Sequence, residues 1–489
     1  QENWDYGIRG YYLGSGEKLS NTEWEYTLLS DGTAVLMKYI GNESSVTVTE
    51  VDGYTVSAVG ANVLNSDSTV QELELPETVI SISNYAFENA GNLQKISIPS
   101  SVKMIGSYAF RNSGIQEVVF APDSQLEYID SYAFANTDAM TVIELPSTVS
   151  QIRKYAFYRS NLQTVTFGVE SQLSEIGRYA FAATGLTELQ LPDHELKVDY
   201  HAFDGAEKLA EVKFGSGRLQ LYGYTFYNTA LVNVDIPANV EYIGEYCFSF
   251  CKELLSLQVN EENKYYSSDE GILFNKTGLK LIQCPAGKTG SYAIPDRTEA
   301  LGFGAFEGSH LSEINISDQS SLQTIGYKAF YNCEQIRSIH IPAAVVSLDY
   351  YAFAYCKKLN NLDIAEGSAL NGIYEGAFYG CESLTAIQIP DTVMEIGEYA
   401  FYGCESLDTV IITENSMLQG IYAHAFEHTA ISEFQIPDNV LEIGSYAFAD
   451  CNLKTATTGK NVREVGAHAF ADNKEMTEIT FDVSLIAVD

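Results

Sequence analysis

The stretch Ile387-Gln388-Ile389-Pro390-Asp391-Thr392-Val393-Met394-Glu395-Ile396-Gly397-Glu398-Tyr399-Ala400-Phe401-Tyr402-Gly403-Cys404 decides the fold, because its plan recurs along most of the chain. Centred on Phe401, the same pattern returns at Phe87, Phe110, Phe134, Phe157, Phe181, Phe203, Phe226, Phe248, Phe306, Phe330, Phe353, Phe378, Phe426, Phe448 and Phe470. All steps but one are 22 to 25 residues. The exception, from Phe248 to Phe306, is 58 residues, a normal 23-residue step plus a 35-residue insertion, and the register resumes after it. Leu64 holds the slot one step before Phe87, which makes 17 repeats.

With the Phe as zero, a unit is apolar at −8 and −5, Tyr at −2, Ala at −1, small at +3, and apolar at +6, +9 and +11. The +9 and +11 pair alternates with outward-pointing neighbours, a strand signal, so each repeat is expected to supply one short strand. Nine of the eleven prolines (76, 99, 146, 192, 237, 295, 342, 390 and 437) follow its last apolar residue, where a missing N–H ends a ladder at little cost. A unit this short cannot bury its own apolar face. Its stability must come from stacking on its neighbours, which predicts a parallel, right-handed solenoid, elongated and curved, with the strands on the concave face.

The frame Leu-x-x-Ile-x-Ile-Pro-x-x-Val-x-x-Ile-Gly-x-Tyr-Ala-Phe resembles the BspA-like class of leucine-rich repeat of bacterial surface proteins, over about residues 46 to 482. The resemblance implies a leucine-rich repeat solenoid, display at the cell surface, and binding of a host protein or a glycan.

Composition narrows the partners. The chain has 489 residues with 28 basic and 65 acidic side chains, a formal charge of −37, which argues against a phosphate backbone as ligand. Apolar residues make up 46% and charged ones 19%, enough apolar surface to bury a large core. No apolar run is long enough to cross a membrane as a helix. The opening Gln1-Glu2-Asn3 reads as that of a mature or trimmed soluble chain.

Residues 1–45 lack the repeat and are expected to form an N-terminal cap, with a hairpin around Asp31-Gly32 between Trp24-Glu25-Tyr26-Thr27-Leu28-Leu29 and Ala34-Val35-Leu36-Met37. Residues 46–489 are then the solenoid, with the insertion at about 260–294. The insertion has a hairpin signal of its own, Ile272-Leu273-Phe274-Asn275 and Leu279-Lys280-Leu281-Ile282 flanking Thr277-Gly278, and is expected to project from an edge of the stack. Phe481 to Asp489 offer no polar cap, as expected if the natural chain continues.

Each chemically suggestive residue falls in a repeat slot. Cys251, Cys333, Cys356, Cys381, Cys404 and Cys451 sit at +3, where other repeats carry Ala90, Ser113, Thr137, Ser160, Thr184 or Ser309, so the slot reads as a small buried site holding free thiols. Tyr at −2 reads as a packing ladder, with His201, His424 and His468 standing in for it. Ser338, His340 and Asp363 can be drawn as a hydrolytic triad, but no nucleophile elbow, Gly-rich oxyanion loop or pocket accompanies them. No motif for a metal or cofactor is present, and the expectation is a chain without catalytic residue, metal or cofactor.

The sequence therefore reads as a non-enzymatic, extracellular or cell-surface recognition or adhesion protein, a monomer that binds a protein or glycan of a host or neighbouring cell, with no nucleic acid and no membrane insertion. A passive stalk is the competing reading, a hydrolase the third. Contact is expected where outward strand residues meet the aromatic and cationic insertion, at Asp235, Gln258, Tyr265, Tyr266, Lys280, Asn315, His340 and Asp363.

Overall fold

The computed structural model describes residues 17–64 and 68–481 and the backbone of 487–488. The first part of the predicted cap and most of the C-terminal tail lie outside these residues. The chain divides into two compact units, one ending at Cys251 and the next beginning at Lys252.

Each repeat supplies two strands rather than the one read from the sequence. The expected strand, at about +8 to +11, pairs in parallel with its neighbours in short sheets of two to four strands. Within the first unit, Ser45–Thr47, Glu72–Glu74, Lys95–Ile98 and Glu117–Phe120 form one such sheet. The second strand, mostly two residues at −6 and −5, forms the longer ladder. One 12-stranded sheet runs from Leu19–Ser20 to Val240–Ile243 in the first unit, and another from Tyr266–Asp269 to Ala487–Val488 in the second. The prolines act as expected: the carbonyls of Pro76, Pro146 and Pro390 accept from the N–H three residues on, in Val79, Val149 and Val393, closing a turn after the strand.

The two units begin alike. Trp24–Leu28 and Ala34–Tyr39 form the expected antiparallel hairpin, and Ala34–Tyr39 then pairs in parallel with Val56–Val59. In the second unit Tyr266–Asp269, Ile272–Asn275 and Lys280–Gln283 form an antiparallel meander, and Lys280–Gln283 pairs in parallel with Ala300–Leu301. The insertion is therefore not a projection from the stack. Ile272, Leu273, Phe274 and Leu281 are buried, and Ile272, Phe274 and Leu281 join the second unit's core, so the insertion supplies the first strands of that unit's sheet.

The core is a set of columns. Within each unit the Phe rings stack one repeat on the next at centroid distances of 4.8 to 5.6 Å, as in Phe134 on Phe157 and Phe330 on Phe353. The segment around each Phe carries a second ladder. The N–H groups of Tyr108, Phe110 and Asn112 donate to the carbonyls of Ser131, Ala133 and Ala135 one repeat later. Aiming alternate N–H groups in one direction requires left-handed backbone at −2 and +2, and Tyr108 and Asn112 have φ of 62° and 56°. For a tyrosine this conformation costs on the order of 1–3 kcal/mol. The inter-repeat hydrogen bonds and ring stacking offset it: from Tyr85 to Tyr179 successive tyrosines lie 4.7 to 4.9 Å apart and within 9° of parallel. His201 continues that stack between Tyr179 and Tyr224, and His424 and His468 stack with Tyr446 in the second unit.

The cysteines are free and buried. The thiols of Cys333, Cys356, Cys381 and Cys404 donate to the carbonyls of Phe306, Phe330, Phe353 and Phe378, at 2.9 to 3.2 Å. Thr137 and Thr184, in the same slot, donate instead to the Phe carbonyl of their own repeat. The slot thus requires a small side chain: Cys and Thr donate to a Phe carbonyl there, but Ala90 has no donor and the Ser113 and Ser160 hydroxyls find no partner. Burial pushes the Cys251 and Cys451 thiols up to about 11, so they stay protonated at neutral pH.

Candidate recognition surface

Strand alternation puts one row of each unit's side chains in solvent. In the first unit Glu144, Thr166, Gln190, Lys213 and Asp235 are exposed while Ile143, Val165, Leu189, Val212 and Val234 between them are buried. In the second unit Gln258, Asn315, Asp363, Gln388 and Gln435 are exposed, and His340 is half-buried. This inside–outside division was legible from the +9 and +11 pair alone.

The structure brings together only some of the predicted contact residues. His340 and Asp363 are register partners on Ser338–Ile341 and Asn361–Ile364, with Nδ1 2.7 Å from Asp363 Oδ2. The other ring nitrogen, Nε2, lies 3.0 Å from Asp318 Oδ1. Nδ1 is held by Asp363, whereas Nε2 is buried without a hydrogen-bond partner, and among the described hydrogen bonds none joins it to Ser338. The triad drawn from the sequence is not assembled. Asp318 escaped that reading because it sits in a loop, although it lies one repeat step of 22 residues before His340.

Gln258 and Asn315 are exposed on Ser256–Val259 and Leu311–Asn315, and the Gln258 amide donates to Ser256 Oγ at 3.2 Å. Asp235 lies on Asn233–Ile236 of the first unit. At the insertion, Lys280 is exposed and Tyr265 is 46% exposed, but Tyr266 is only 8% exposed. Tyr266 begins the meander and turns inward, so it leaves the set of surface contacts. Lys276 and Lys288 donate to the main-chain carbonyls of Glu261 and Glu270, tying the insertion to its own turns.

Among the described residues no three His, Cys, Asp or Glu side chains are grouped to hold a metal ion, and no helix is long and apolar enough to cross a membrane.

Stacked parallel strands, one turn per repeat of 22 to 25 residues and a column of buried phenylalanines define a leucine-rich repeat solenoid. The chain belongs to the BspA-type leucine-rich repeat family, whose model matches residues 57–182, 174–292, 288–408 and 371–489. Among solved structures it is similar to the pneumococcal vaccine antigen PcpA, at 19% identity and a TM-score of 0.50, over 96% of this chain and 99% of that one. It is also similar to a leucine-rich repeat protein from Bacteroides ovatus, at 23% identity and a TM-score of 0.47, over 94% and 100% of the two chains. A leucine-rich cell surface protein from Faecalibacterium prausnitzii matches at 20% identity and a TM-score of 0.44, over 96% of each chain. A comparison with curated proteins gives no match.

Proposed function

We propose that this chain is a cell-surface or secreted recognition protein that holds a macromolecular partner, a protein or a glycan, on the outward side chains of its repeats. One observation carries the reading: inward and outward positions of the same strands follow different rules. Inward slots repeat with little change, as at Ile143, Val165, Leu189 and Val212. Their outward neighbours Glu144, Thr166, Gln190 and Lys213 differ in charge, size and hydrogen-bonding capacity from one rung to the next. A scaffold kept constant beneath a surface that changes at every step is what recognition of one extended partner requires. Surface display agrees with the pneumococcal relative's description as a vaccine antigen.

Binding of the full chain to arrays of glycans and extracellular-matrix proteins tests the reading, followed by charge reversal along the outward row. A recognition protein retains a ligand and loses it when a local patch is reversed. If no ligand is retained, or if reversal at every position leaves retention unchanged, the chain is a spacer.

A further inference from the structure

The second unit's 12-stranded sheet carries a groove of about 410 Å³ on its outer face, lined by Tyr374, Met394, Glu395, Tyr422, Leu441 and Glu442 with flanking amides and Gly420. Its pattern is a checkerboard written by the repeat. Gly372, Glu395, Gly420 and Glu442 are neighbours across four successive strands. Two residues after each glycine stands a tyrosine, and its ring leans back over that glycine. A Cβ on Gly372 would lie 2.8 Å from Tyr374 Cε1, and one on Gly420 3.1 Å from Tyr422 Cζ. Tyr374 and Tyr422 are two strands apart, about 10 Å, with Glu395 on the strand between them.

The ionised side chains lining this groove are all carboxylates. Among the described residues no Lys, Arg or His lies within ion-pair distance of Glu395 or Glu442. After burial, the charge of Glu395 is the next cause pushing the hydroxyls of Tyr374 and Tyr422 up, and Glu442 adds to it at Tyr422.

In the first unit the same side-chain types, a carboxylate and a tyrosine on the corresponding sheet, hold an ammonium. There Glu175 and Lys197 occupy the −6 slot of successive repeats and Tyr222 the −4 slot of the next. The Lys197 ammonium lies 2.9 Å from the Glu175 carboxylate and 5.3 Å from the centre of the Tyr222 ring. The second unit orders these slots differently: the tyrosines at −4, Tyr374 and Tyr422, lie on the repeats either side of Glu395 at −6, the glycines Gly372 and Gly420 share the tyrosines' repeats, and no repeat of that unit has a lysine at −6.

We propose that the groove between Tyr374 and Tyr422 binds an alkylammonium group, the side chain of a lysine on an extended basic segment of a partner protein. An ammonium midway between the rings stands about 5 Å from each, within cation–π range, with the Glu395 carboxylate beside it. The net charge of −37 steers such a segment toward the molecule. The proposal rests on the recognition reading and names its partner chemistry.

Calorimetric titration of the full chain with acetyl-tetralysine amide tests it, against the Nε-acetylated peptide and cellotetraose. Tetralysine should bind and the acetylated peptide should not. Glu395→Gln with Glu442→Gln, and separately Tyr374→Leu with Tyr422→Leu, should each weaken binding about tenfold or more. Glu144→Gln with Glu188→Gln, the same charge change on the other unit, should leave it unchanged. Equal losses in both glutamate pairs would reduce the effect to bulk charge and overturn the proposal. Cellotetraose binding that depends on the tyrosines but not on Glu395 would overturn it in favour of a glycan. If tetralysine fails while the arrays still retain a ligand, the groove assignment falls and the recognition reading stands. If tetralysine binds as described but the arrays retain nothing, the groove stands and the broader reading falls.

Discussion

The Sγ of Cys356 lies 3.1 Å from the main-chain oxygen of Phe330, 26 residues earlier. The contact ties one repeat's small slot to the aromatic column of the repeat before it, and it recurs at Cys333, Cys381 and Cys404. Each of these thiols serves as a hydrogen-bond donor in a dry site. This chemistry needs a reduced sulfur.

All eight cysteines should therefore be unreactive toward a thiol reagent in the native protein and fully reactive after denaturation without reductant. Fewer than eight thiols on unfolding would show that disulfides form.

Alkaline pH should destabilise the fold through the same groups. The Cys251 and Cys451 thiols titrate near 11 in the folded chain, above about 8.5 in an unfolded one. A raised folded value means that the contribution is complete below the unfolded value and is lost as pH rises from there toward 11. The melting temperature should fall across that window. Cys251→Ser with Cys451→Ser, which keeps a donor but removes the titration, should make the fall shallower.

The tyrosine column balances strain against stacking, and two substitutions at one site separate them. Tyr132 has φ of 59° and stacks on both Tyr108 and Tyr155. Both Tyr132→Ala and Tyr132→Gly lose the stacking, about 0.5–1.5 kcal/mol for each pair. Alanine keeps the left-handed strain and glycine does not, so the glycine variant should be the more stable by about 1 kcal/mol in denaturant titration. Equal stability would show that the backbone there is unstrained.

At Gly397 the constraint is space. A Cβ there would lie 2.6 Å from the Glu375 amide nitrogen, in the main chain of the preceding repeat. Gly397→Ala should cost about 1–3 kcal/mol, measured as a lower urea midpoint with unchanged slope.

The insertion offers the sharpest mutational contrast. Phe274 is 2% exposed, so Phe274→Ala should destabilise the second unit by about 3–5 kcal/mol. Lys276→Ala, on the adjoining exposed turn, should stay within about 0.5 kcal/mol. Deleting 262–290 should unfold the second unit, as read by thiol exposure at Cys333 and Cys356. A deletion variant that keeps those thiols protected would restore the insertion to the role of a surface ornament.

How much of this could be read in advance depended on the length of each signal. The Phe slot recurs at a fixed step, so Phe330 and its partners announced the stack. Ile339 and Ile341 alternate with Ser338 and His340, so the outward row was legible as well. The longer sheet was not, because strands such as Ser347–Leu348 are too short to carry a period. The left-handed tyrosines left no trace, since such backbone is ordinarily marked by glycine or asparagine. At the insertion the hairpin was visible in Ile272-Leu273-Phe274-Asn275, but Tyr265, Tyr266 and the lysines around it suggested a surface. The apolar run was the better guide. The Tyr374–Tyr422 groove was missed because it lies on the outer face of the sheet that the sequence did not reveal.

The second hairpin also bears on how the chain is made. In a repeat stack, folding can nucleate at any rung and spread to its neighbours. Here the stretch ending at Cys251 contains a hairpin together with the strands of its own 12-stranded sheet. The next stretch to emerge brings a hairpin of its own. Each unit therefore holds both a hairpin and the full ladder it starts, so the first can fold during translation before the second has emerged.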